Sequence, residues 1–84
     1  MIITINKKIK VGVVFDDVNE NIVPKWFIMD RRQYKIDKVN YIWDEKKGKS
    51  LIKHFAVSAE NNCYELIYNT KELIWFLASV DDEV

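Results

Sequence analysis

The chain has 84 residues, thirteen cations balanced by thirteen carboxylates, and 49% hydrophobic residues, eleven of them aromatic. That length holds one domain, which buries roughly 60–65% of its unfolded surface, and the apolar share excludes a disordered chain. A single cysteine, Cys63, excludes an intramolecular disulfide and points to a reducing compartment, the cytoplasm.

The opening Met1-Ile2-Ile3-Thr4-Ile5 is too short for a signal core, and Lys7, Lys8 and Lys10 follow it rather than precede it. No run approaches the ~18–20 apolar residues of a spanning helix, so no membrane partner is expected. Residues 9–15 alternate with a period of two, which predicts a strand with Ile9, Val11, Val13 and Phe15 on one face. Gly12 inside it predicts a bulge or a close backbone approach. Asp and Asn crowd residues 16–21, a polar turn. A second strand runs from about 23 to 29, with Pro24 at its start or on an edge because proline donates no ladder hydrogen bond. Residues 30–33 form a tight hairpin connection.

Residues 34–44 carry a phase defect. Tyr34 and Ile36 define an even-numbered apolar face, whereas Val39, Tyr41 and Trp43 define an odd-numbered one. A one-residue slip would throw a whole face into water, so a bulge or sharp bend near Asp37-Lys38 must absorb it. A loop over 45–50 follows, with Gly48 free to take a positive φ. Further strands are expected over 51–57 and 63–68, with a turn at 58–62 between them. After a reversal at 69–72, residues 73–79 read as a last strand, because Ile74-Trp75-Phe76 is rich in β formers and a short hairpin fits the spacing. A helix competes there, with Thr70 as its cap and Leu73, Phe76, Leu77 and Val80 at helical spacing. Residues 81–84 read as a frayed acidic tail.

The fold expected is therefore all-β, one domain over residues 1–84, an antiparallel meander of about six strands curled into a half-barrel or small barrel. Its core should draw on Val11, Val13, Phe15, Trp26, Ile28, Tyr34, Ile36, Tyr41, Trp43, Phe55, Val57, Tyr64, Leu66, Trp75 and Leu77.

Chemical motifs are scarce. His54 is the only histidine, and no strained nucleophile turn accompanies Cys63, which reads as a small hydrophobe. One Cys and one His cannot fill a four-ligand zinc site. Residues 17–21 resemble half a calcium loop, but Ile22 replaces the turn glycine and Ile28 the bidentate glutamate. Two glycines thirty-six positions apart spell neither a P-loop nor a dinucleotide fingerprint. The expectation is a protein that is not an enzyme, with no catalytic residue, metal or cofactor and no small-molecule substrate evident.

Charge is segregated. Residues 25–54 carry nine cations against four carboxylates, net +5, and residues 55–84 carry net −5. These segments either attract each other across neighbouring strands or mark a basic binding face. On the second reading Arg31, Arg32 and Lys35 contact phosphates while Trp26 or Tyr41 stacks on bases of a single strand. On the first, the aromatics are core and the lysines an ordinary solvent face that blunts sheet edges. The last strand is apolar on both sides. That predicts self-association through Ile74 and Phe76, or coverage of that face by Ile2, Ile3 and Ile5.

Pro24-Lys25-Trp26-Phe27, Arg31-Arg32-Gln33-Tyr34-Lys35-Ile36, the Val39 to Trp43 strand, Cys63-Tyr64-Glu65-Leu66 and Trp75 together resemble a small bacterial domain. That domain is found beside or fused to Y-family (translesion) DNA polymerases, and the resemblance covers residues 24–78. Eleven lysines against two arginines, with abundant Ile and Asn, match AT-rich coding in keeping with a bacterial source. The family has no assigned activity, so the resemblance implies only company in DNA metabolism; zero net charge and the acidic tail depart from a DNA binder. Two functions remain: an accessory or interaction module that self-associates or binds another protein, and a single-strand-binding accessory in DNA repair.

Overall fold

Aromatic and β-branched residues at alternate positions build seven strands in the computed structural model, which describes residues 1–18 and 21–82. They are β1 (Ile2–Asp16), β2 (Asn21–Met29), β3 (Arg32–Lys35), β4 (Lys38–Lys47), β5 (Ser50–Ala59), β6 (Asn62–Asn69) and β7 (Ile74–Asp81). All pairings are antiparallel, in the order β3-β2-β1-β7-β6-β5-β4. The all-β expectation holds, and residues 74–81 are a strand rather than a helix.

β1 is the organising element. Residues 2–9 pair with β7, and residues 10–16 pair with β2 on the opposite side. An extra residue on β1 opposite β7, with Asn6 at φ 52°, bends it between these duties. At Gly12, a Cβ would fall on the indole of Trp26, its cross-strand partner. Glycine therefore leaves room for the ring against the backbone, and the register shifts immediately after it. Of the two readings of Gly12 the close approach applies, and the bulge lies opposite it, at Lys25 on β2.

Two-residue turns set the hairpins. Asp30 and Arg31 (φ 53° and 69°) join β2 to β3, and Glu60 and Asn61 (φ 49° and 66°) join β5 to β6. Positive φ at both central residues is the type I′ geometry that matches strand twist. Gly48 (φ 62°) turns β4 into β5.

The expected strand over 34–44 divides at Ile36-Asp37, which gives seven strands where six were read. Ile36 N–H donates to Lys25 O at 3.0 Å, and Asp37 N–H donates to Ser58 O at 2.8 Å. Two consecutive amides thus reach β2 and β5, drawing the two ends of the strand order together. Arg32 reinforces that closure by reaching Glu60 at 2.6 Å.

The core comprises Ile9, Phe27, Ile36, Phe55, Val57, Ala59, Tyr64, Leu66 and Leu77. Phe27 stacks on Tyr34 (4.8 Å, 8°) and meets Tyr64 edge-on (5.1 Å, 66°). Several expected core residues are elsewhere. Val13, Phe15, Tyr41 and Trp43 are exposed, while Trp26 and Ile28 point away from Phe27, which with Pro24 takes the buried positions on β2. An extra residue at Asn40 shifts β4 so that Val39 opposes buried Val57, whereas Tyr41 and Trp43 share the outer side with Ala56 and His54. Asp81 is not frayed, since it pairs with Cys63 and Ile2. Residues 19–20 of the expected first turn and 83–84 of the expected tail lie outside the described residues.

Candidate binding face

The outer sides of β1, β2 and β3 carry two cross-strand rows, Lys10–Ile28–Gln33 and Gly12–Trp26–Lys35. Period-two alternation places them there: Ile9, Val11, Phe27 and Tyr34 take the inward positions, so their neighbours face water. Lys8 continues the outer row of β1. Where β1 passes from β7 to β2, a groove of about 440 Å³ opens, lined by Lys8, Ile9, Lys10, Ile28 and Arg31. Arg31 reaches it from the turn of the β2–β3 hairpin, and among the described residues no carboxylate lines it. Among the described residues Lys8, Lys10, Arg31 and Lys35 are exposed and make no ion pair, whereas Lys7 is held by Asp30 at 2.8 Å.

The residues singled out in the sequence are thereby sorted. Arg31, Lys35 and Trp26 come together on this face. Arg32 leaves it: its guanidinium lies 4.6 Å from the centre of the Tyr34 ring and pairs with Glu60. The Tyr34 hydroxyl and then the Glu60 carboxylate raise the Arg32 pKa above its ordinary value. Tyr41 is exposed on β4, at the far end of the strand order. Lys8 and Lys10 join the face without having been singled out for it, and Ile28, expected in the core, joins it too. The signal for the lysines is the Lys-x-Lys alternation with Ile9 and Val11.

A second outer row, Trp43–His54–Ile67–Phe76–Lys8, crosses β4, β5, β6, β7 and β1. His54 stacks on Trp43 (4.9 Å, 9°), with Nδ1 3.2 Å from Glu65 Oε2 and Nε2 3.0 Å from Glu45 Oε1. Carboxylates only accept, so both contacts are hydrogen bonds together when both ring nitrogens carry protons. Beside it lies a cleft of about 210 Å³ bounded by Ile52, Ile67, Phe76, Asn69, Glu45 and Lys47. Phe76 is 38% exposed and Ile74 is half-buried. The N-terminal segment does not cover this face as one expectation had it: Ile2, Ile3 and Thr4 pair beside β7, because the β7 backbone offers them ladder partners.

Among the described residues no group of three or more His, Cys, Asp or Glu is placed to hold a metal ion, and no helix is long and apolar enough to cross a membrane. No family model, curated protein or solved structure matches the chain.

Proposed function

We propose that the protein is a non-catalytic binding module whose ligand is a single-stranded nucleic acid held on the outer side of β1, β2 and β3. One observation carries this reading: Lys8, Lys10 and Arg31 converge on a groove lined also by Ile9 and Ile28, with no carboxylate among its described lining residues. Cations without protein partners suit phosphates, whose binding releases counterions. Trp26 and Lys35, paired across the ladder beside that groove, supply a ring and a further cation. The resemblance to polymerase-associated domains favours the same ligand, since single strands are exposed where those enzymes work.

The test is fluorescence anisotropy of labelled oligo-dT over a salt series. Four phosphate contacts predict a log–log slope of about −2.8, at roughly −0.7 per contact on single strands. Arg31→Ala or Lys10→Ala should each flatten the slope by about 0.7. Arg32→Ala should leave it unchanged, because that side chain is committed to Glu60 and Tyr34. Affinity weaker than about 100 μM at low salt, the upper range of non-specific binding, refutes the reading.

A further inference from the structure

Among the described residues, two strand segments with an unpaired edge each carry three consecutive exposed apolar residues. Beyond Ile9, β1 has β2 on one side and no strand on the other, with Val13, Val14 and Phe15 44%, 51% and 64% exposed. β4 pairs only with β5, and its Tyr41, Ile42 and Trp43 are 72%, 39% and 43% exposed. An open edge with apolar side chains is a template for another strand. The two edges are unlike each other, and every copy of the chain carries both.

We propose that two copies form a two-fold dimer in which the free edge of β1 in each pairs with β4 of the other. Charge selects the direction. Counted residue for residue along the free edge of β4, through Asn40, antiparallel alignment of Val13 with Ile42 sets Val14 against Tyr41 and Asp17, just past the end of β1, against Lys38, and it opposes no like charges from residue 10 to residue 17. Parallel alignment of the same apolar runs, Val13 with Tyr41, would oppose Asp16 to Asp44 and Asp17 to Glu45. Asp17 and Lys38 are exposed and make no ion pair among the described residues, so both are available. Reciprocal pairing occupies these two apolar edges in both copies and closes the assembly, which one-way pairing would not.

Sedimentation equilibrium of the wild type, Asp17→Lys, Lys38→Asp and an equimolar mixture of the two variants tests this. Both substitutions are exposed and leave the core intact. Each variant alone opposes like charges at both edges and should dimerise at least about tenfold more weakly than the wild type. In the mixed dimer one edge carries the two introduced side chains, again of opposite charge, and the other keeps the native pair. The mixture should therefore recover the wild-type dimer. A wild type that stays monomeric at about 100 μM overturns the proposal, as does a ladder of larger species. So does a dimer that neither charge variant weakens, or one that Phe76→Lys abolishes while Ile42→Lys leaves it intact.

Discussion

β4 and β5 are adjacent ten-residue strands, both alternating and both aromatic, yet they live in different environments. β5 buries Phe55 and Val57 completely against the core and shelters Ile52 and His54 on its other side. β4 exposes every residue except Val39, which is half-buried. The difference is a second neighbour: β5 lies between β4 and β6, whereas β4 pairs with β5 alone among the described residues. Alternation says that a strand has two faces; the number of flanking strands decides how much either face is worth.

The sharpest way to break that comparison is to truncate one aromatic on each strand. Phe55→Ala should cost about 3–5 kcal/mol in urea unfolding, because a fully buried ring leaves a cavity against Trp75 and Leu66. Trp43→Ala should cost only about 0.5–1.5 kcal/mol, the worth of its stack on His54. Equal losses would mean that β4 is buried in solution.

Gly12→Val probes a position outside the core that nonetheless tolerates no side chain. The new atoms would meet the Trp26 indole, so a loss of about 1–3 kcal/mol is expected, with altered tryptophan fluorescence. A neutral result would mean that Trp26 is free to leave the β1 backbone.

The smallest effect has the opposite sign. Leu73 sits at φ 59° in the β6–β7 turn, 71% exposed, its N–H donating to Asn69 O at 2.8 Å. A branched side chain gains nothing there and bears the left-handed penalty. Leu73→Gly should therefore raise thermal stability by about 1 kcal/mol. A loss would show that the leucine side chain packs against something in solution.

The sequence made the strand content legible wherever one face was plainly apolar. Residues 51–57 and 63–68 alternate cleanly, and β5 and β6 follow them within two residues at each end. The break near Asp37-Lys38 was legible as a defect in phase. β2 was not, because Trp26, Phe27, Ile28 and Met29 are apolar on both faces and nothing local says which turns inward. Its phase is set by the extra residue at Lys25 and by pairing with β1. Tyr41 and Trp43 were misplaced for the same kind of reason, since the extra residue at Asn40 separates them from Val39. The binding face was half legible. Arg31, Lys35 and Trp26 lie close in sequence, whereas Lys8 and Lys10 join them only through the β1–β2 ladder. Charge summed over residues 1–24 hides those lysines, because Asp16, Asp17 and Glu20 cancel Lys7, Lys8 and Lys10 on paper.

The pairing of the first strand with the last has a kinetic consequence. One flank of β1 meets β2 within a local hairpin, but the other must find β7, with Ile9 opposite Trp75 and Ile2 opposite Asp81. Closing so long a loop carries an entropy cost before any contact rewards it, so folding should take roughly milliseconds to seconds rather than microseconds. Until β7 arrives, residues 2–9 wait with that flank unpaired, and the nascent chain is at its most adhesive just before its final strand docks.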